Sequence, residues 1–433
     1  MIQSLKRSVI IQFLLVGLIL FCNNIFSQVD YDKYFTSKSL RIDYCHAGNA
    51  NTETIYLGQI REEPFWGGSK KNLIDTFDLG TYNFLVYDAL SNELIYSRGF
   101  CTLFQEWQTT SEADSTDRSF NETVICPYPK SSIRIEIHSR DIKNSFVKIF
   151  EYYIDPTDYF IKKEPVVKYP VSKIVDSGIS EKKVDLAFIA EGYTKDEMEK
   201  FRNDVKKCAE FLLNTAPFDK QKDNFNIWAI ESVSEESGTD IPGENIWKRT
   251  AVNSNFYTFD SERYLTTSDM WSVRNIAANV PYDQIVILVN TEKYGGGGIF
   301  NYCSICSSDN SYSLIVLVHE FGHAFAGLAD EYYTSQVSYD EFYNLDAEPW
   351  EPNITTMVAF DRKWKDMIGK GTPVPTPAEE KYDSTVGVYE GGGYVAKGVY
   401  RPYTNCIMNG LDAKGFCPVC CRAITRMIGF YCE

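Results

Sequence analysis

Between about residues 30 and 160, apolar and polar positions alternate in short runs. The clearest are "SLRIDY" (39–44), "YNFLVYD" (82–88), "ELIYSRGF" (93–100), "SIRIEIHS" (132–139) and "FVKIFEYYI" (146–154). Side chains on a strand point alternately to opposite faces, so each run has one face to bury. Several such runs, separated by Gly, Asn, Asp and Ser clusters, predict an antiparallel β-sandwich. A polar stretch, "KKEPVVKYPVSKIVDSGISEKK" (162–183), then reads as a connection, and the pattern beyond it changes. "VDLAFIAEGY" (184–193) is an apolar run ending in Gly192, and Thr194 stands where it can cap a helical pattern over 195–214. "NFNIWAIES" (224–232) and "YDQIVILVN" (282–290) add two more strands. Strands alternating with helices predict a twisted α/β sheet. The expected class is therefore α+β: residues 28–165 as a sandwich domain, 166–183 as linker and 184–433 as an α/β domain.

Length agrees with that division, because 433 residues exceed what one ordinary core organises. With 44% apolar and 24% charged residues, neither a disordered chain nor a multispanning membrane protein is indicated. At the start, Lys6 and Arg7 precede the apolar run "SVIIQFLLVGLILF", and "NNIFSQ" follows. This is the layout of a signal peptide, residues 1–27, with a cut after Ser27 and no membrane insertion afterwards. Bulky Phe21 beside Cys22 argues against lipid attachment. The formal charge of −16 becomes −18 once Lys6 and Arg7 are removed, which disfavours nucleic acid and anionic membrane as partners. Of the 12 cysteines, 11 remain in an exported chain, where most are expected in disulfides. The alternative is a four-thiolate metal knuckle from Cys303-x-x-Cys306 and Cys417-x-x-Cys420.

The densest chemistry lies in "SYSLIVLVHEFGHAFAGLADEYY" (311–333), whose first part is apolar enough to be a buried helix. His319 and His323, four apart, share one helix face, and Glu320 sits beside the first of them. This His-Glu-x-x-His pattern suits two ligands of a zinc ion and a carboxylate aimed at its water. Histidine is rare here, with four in the chain, so chance is a poor explanation. The third ligand comes either from a following helix, where Glu341 is available, or from a turn after Gly327, where Asp330 is available. Metzincin peptidases place the glycine three residues after the second histidine and the ligand six after. Those positions are Ala326 and Ala329 here, so the chain resembles that design with one residue inserted, and Asp330 is the expected ligand. Met408 in "YTNCIMNGLD" (403–412) resembles the Met-turn beneath such sites.

With "FIAEGYT" (188–194), "SGTDIP" (237–242), "GFCPVCCRAI" (415–424) and, in the front half, "YSRGF" and "FQEWQTT" (96–110), the chain resembles the IgA-peptidase family of secreted, metzincin-like zinc peptidases. The resemblance implies an endopeptidase with one Zn2+ on His319, His323 and Asp330 and with Glu320 as catalytic base. It implies a protein or peptide substrate without implying immunoglobulin A. Tyr332, Tyr333 and Tyr403 are candidates to steady an oxyanion. The run "YGGGGIFNYCSIC" (294–306) predicts an edge strand beside the cleft, with Ile299, Phe300, Asn301 and Tyr302 as substrate contacts by strand addition. The long segment 334–402 is expected to hold specificity pockets, a lid or a solvated insertion. Isolated His46 and His138 read as ordinary. The competing function is a carbohydrate- or protein-binding surface protein with a silent structural zinc; an intact Glu320 counts against it.

Overall fold

The computed structural model describes residues 28–333 and 343–433; the expected signal peptide and Glu341 lie outside them. The front half is built from β1 (Phe35–Asn49), β2 (Thr52–Glu63), β3 (Tyr82–Asp88), β4 (Leu94–Phe100), helix α1 (Leu103–Gln108), β5 (Arg118–Pro129), β6 (Ile133–Arg140) and β7 (Phe146–Ile154). These strands form two antiparallel sheets, ordered β2-β1-β5 and β4-β3-β6-β7. Alternation explains the core: Leu40, Ile42 and Tyr44 of one sheet and Phe84, Val86, Ile135 and Ile137 of the other join a single buried cluster.

The back half begins with β8 (Val171–Val175), which lies inside the polar stretch 162–183 and pairs antiparallel with the strand Phe225–Ile230. It continues through β9 (Val184–Glu191), α2 (Met198–Asn214), β10 (Phe225–Ile230), α3 (Met270–Ala277), β11 (Gln284–Val289), β12 (Gly296–Ile299), β13 (Cys303–Ser307) and α4 (Ser313–Ala326). A hairpin of β14 (Tyr389–Gly392) and β15 (Val395–Arg401) and the helix α5 (Pro418–Cys432) complete it. The sheet runs β12-β13-β11-β9-β10-β8, with four parallel strands inside and an antiparallel strand at each edge. Every residue of β9 and β11 is buried, as covering both faces of a parallel sheet demands. Thr194 and Glu197 form a reciprocal capping box at the start of the α2 segment. The chain is thus α+β, with antiparallel sheets followed by a mixed sheet.

The halves are packed together rather than strung out. Leu103, Phe104 and Trp107 of α1 belong to the core of the back half. Arg41 is 1% exposed and bonds Asp43 at 2.7 Å, Glu63 at 2.9 Å and, across the junction, Asn275 at 2.8 Å. Tyr282 donates to Glu63 at 3.1 Å from the other side.

The cysteines depart from expectation. All eleven described cysteines are free thiols. The knuckle of Cys303, Cys306, Cys417 and Cys420 does not form, because Cys303 and Cys306 lie on β13. Residues three apart on a strand point to opposite faces and cannot grip one ion.

Candidate active site

Helix α4 carries the central pair because its apolar face is anchored: Phe321 and Phe325 stack with centroids 5.0 Å apart, and Phe325 stacks on Tyr431 of α5 at 5.9 Å. The opposite face bears His319 and His323. Each ring is oriented by a carbonyl: His319 Nδ1 donates to Ile407 O at 3.0 Å and His323 Nδ1 to Leu328 O at 2.5 Å. Both Nε2 atoms then turn to a common point, 3.1 Å from each other. A carbonyl partner on Nδ1 is the usual way a ligating imidazole is fixed.

The helix ends at Gly327, whose φ of 62° and ψ of 32° is the left-handed cap that glycine adopts without strain. The chain then doubles back and brings the Asp330 carboxylate to the histidines, with Oδ1 3.1 Å from His319 Nε2 and 3.4 Å from His323 Nε2. The turn is held in place: Asn353 accepts from Ala329 N at 2.7 Å and donates to Ala329 O at 2.8 Å, and Gly393 N donates to Asp330 O at 2.8 Å. Tyr394 OH donates to Asp330 Oδ2. Asp330 Oδ1 has no well-aligned donor although it is buried. Burial alone would raise the Asp330 carboxyl, but the two imidazoles hold it well below its ordinary value. Two nitrogens and one oxygen with lone pairs aimed at one point suit a dication, and zinc takes this ligand set.

Glu320 completes the constellation, within 4.8 Å of both histidines by ligand atoms. Burial raises its carboxyl above the usual value, with the imidazoles opposing. Beneath the helix, Met408 is fully buried, and its Sδ lies 3.1 Å from where a side chain on Gly322 would begin. The same turn supplies Ile407 O to His319, and Met408 O accepts from Glu331 N at 2.7 Å.

These groups form the floor of a cleft of about 1980 Å³ lined by both halves of the chain. One wall is β12, the glycine run. Its glycines are a packing requirement rather than a flexible joint: a Cβ on Gly298 would lie 2.2 Å from Glu320 O, so only glycine lets the strand sit flush on α4. Of the four expected substrate contacts, Ile299 and Phe300 line the cleft, whereas Asn301 and Tyr302 lie outside both its lining and the edge strand. The edge strand is Gly296–Ile299; Asn301 is a turn residue with φ of 52°. Asn301 N donates to Ala324 O at 2.9 Å, its amide donates to Gly99 O at 2.7 Å, and Phe300 O accepts from Cys101 N at 2.9 Å. Tyr302 is buried, so past Ile299 this backbone is already engaged internally. Of Tyr332, Tyr333 and Tyr403, Tyr332 alone lines the cleft.

Among the cleft residues not singled out from the sequence, two bear on the site's chemistry. Tyr394 comes from the hairpin of the long segment and Glu106 from α1, far from α4 in the chain. Glu106 accepts a hydrogen bond from Tyr264, and burial pushes its carboxyl up to about 7. Glu106 lies in the "FQEWQTT" stretch, but nothing in that stretch marks it as a cleft residue, and Tyr394 has no periodic context.

A large cleft with a convergent donor trio and a carboxylate on its floor has the layout of a hydrolytic site. The chain belongs to the IgA peptidase M64 family, whose model matches residues 172–383 and 378–428. Residues 30–151 match the model of the Peptidase M64 N-terminus. The chain is therefore a peptidase. No curated protein matches it.

Proposed function

We propose that the protein is an exported zinc-dependent endopeptidase acting on polypeptide substrates, with one catalytic ion held by His319, His323 and Asp330. The observation that carries this reading is the convergence of both Nε2 atoms and Asp330 Oδ1 within 3.4 Å at the cleft floor. A bound zinc supplies Lewis acidity there, bringing the pKa of a water towards neutrality and polarising a carbonyl. Glu320, buried and raised in pKa, takes the proton of that attacking water and returns it to the departing amine. Ile407 O and Leu328 O keep the ring protons on Nδ1, leaving each Nε2 lone pair for the ion. Tyr394 and Asn353 hold the Asp330 turn so that the third donor is pre-positioned. Of the three tyrosines expected to steady negative charge on the substrate oxygen, Tyr332 is the one that lines the cleft. A cleft of about 1980 Å³ with a mixed polar and apolar lining suits a stretch of polypeptide chain. The apolar start of the sequence, followed by an acidic chain, supports action outside the cytoplasm.

Digestion of casein by the purified protein, with and without chelator, tests the reading. Activity abolished by chelation and restored by zinc supports it. Glu320→Ala is expected to keep its zinc while losing peptidase activity by several orders of magnitude. Unchanged activity in that variant removes Glu320 from the mechanism.

A further inference from the structure

A second cluster of metal-type donors lies behind the catalytic one, on the far side of the Asp330 turn. Glu331, Cys406, Cys417 and Cys420 are all buried, and their ligand atoms lie within 4.8 Å of one another. They come from three separate places: the residue after Asp330, the residue two before Met408, and the first turn of α5. We infer that these four side chains form a second, structural zinc site of three thiolates and one carboxylate.

The spacing is that of a tetrahedron. Around zinc, with Zn–S bonds of about 2.3 Å, thiolate sulfurs stand about 3.8 Å apart. Cys406 and Cys420 sulfurs are 3.8 Å apart, and Glu331 Oε1 lies 3.1 Å from Cys420 Sγ and 3.9 Å from Cys417 Sγ. A separate observation points to a missing cation. Glu331 is fully buried, and its Oε2 has no hydrogen-bond partner. A buried carboxylate left half-satisfied among three thiols is costly, and a dication removes that cost. A disulfide between two of the cysteines would leave both the third thiol and Glu331 unanswered. The backbone helps as well, since Cys417 caps α5 and accepts from Cys420 N, where a helix N-terminus favours a thiolate.

The consequence reaches the catalytic centre without depending on its chemistry. Such an ion rivets Glu331, and with it Asp330, to the turn that carries Ile407 and Met408. Three loops that position the cleft floor are then tied at one point.

Metal analysis of the full-length protein, purified without chelator and with zinc supplied, tests this. The His319→Ala/His323→Ala double variant is expected to retain one zinc per chain, and X-ray absorption of that sample to show sulfur-dominated coordination at about 2.3 Å. Cobalt substitution of the same variant is expected to give thiolate charge-transfer absorption. In Cys420→Ser, the thiolate-bound equivalent is lost. The wild-type chain gives a reading even where that variant does not fold: two zinc ions per chain, and an intact mass with Cys406, Cys417 and Cys420 all reduced. A zinc-free double variant, coordination by nitrogen and oxygen only, or a disulfide among the three cysteines overturns the second site. The catalytic reading stands apart from each of these outcomes, because chelator-sensitive casein cleavage is scored separately.

Discussion

Replacing Gly298 by alanine probes how closely the cleft wall is fitted to the catalytic helix. The new Cβ would begin 2.2 Å from Glu320 O and 3.0 Å from Glu320 Cα, both backbone atoms that cannot rotate away. Real Cβ contacts essentially never fall below 3.0 Å, so β12 and α4 must separate by at least 0.8 Å. Overpacking of this kind costs about 1–3 kcal/mol of stability. The larger effect falls on chemistry, because a displacement near 1 Å at a site that depends on alignment costs about 100-fold in rate. Gly415→Ala is the matched control, since a Cβ there meets nothing within 4 Å. Denaturant unfolding and kcat/KM on a fluorogenic peptide, with zinc content measured in parallel, make the comparison. Gly298→Ala is expected to keep its zinc, lose about 1–3 kcal/mol and drop about 100-fold in kcat/KM, with Gly415→Ala near wild type. A Gly298→Ala enzyme of wild-type stability and rate refutes the claim that the glycine run exists to seat this strand on α4.

Further outcomes follow from buried charges. Arg41→Met strands Asp43 and Glu63 at the junction of the halves and is expected to lower stability by about 3–5 kcal/mol; a loss below about 1 kcal/mol by chemical denaturation contradicts the reading of this cluster as a matched buried set. For His46, burial works against protonation, but Glu122 and Glu53, 3.0 and 3.1 Å from its ring nitrogens, push its pKa up to about 9. A raised folded-state value means the stabilisation is complete below about pH 6.5 and is lost as the pH climbs through 9. Wild-type stability is therefore expected to fall by up to about 3 kcal/mol over that window relative to His46→Gln; parallel pH profiles of the two contradict it. Glu106→Gln is expected to alter the pH profile of kcat/KM near 7 while leaving zinc content unchanged, and an identical profile removes Glu106 from the electrostatics of the cleft.

How far the sequence carried the structure depends on how local the signal was. The inner strands Val184–Glu191 and Gln284–Val289 were legible because burial of every residue leaves mostly apolar runs, and the helix Ser313–Ala326 because most of its residues are buried. The pair His319 and His323 was legible for a similar reason, since four-residue spacing on a helix is a local fact. Asp330 was reachable through Gly327, whose cap marks where the chain turns. By contrast, β2 and β5 carry charges among their apolar positions, "TETIYLGQIREE" and "RSFNETVICPYP", so alternation is blurred. Strand β8 hid in a polar stretch because it is an edge strand with one solvated side. The cysteine pairs misled, since Cys-x-x-Cys can clasp an ion at a helix N-terminus but not along β13. His46 looked isolated because one partner, Glu122, is 76 residues away in the chain and the other, Glu53, meets it only through the pairing of β1 with β2. Glu106 and Tyr394 reach the cleft only through tertiary packing, which no window of sequence contains.

The most direct measurement is an anomalous difference map at the zinc edge from crystals of the Glu320→Gln protein with zinc and a bound peptide. A peak within about 2.0–2.2 Å of His319 Nε2, His323 Nε2 and an Asp330 carboxylate oxygen, with its fourth position turned to the cleft, is the predicted result. A map with no peak at that point, or one whose third ligand is a residue other than Asp330, contradicts the account.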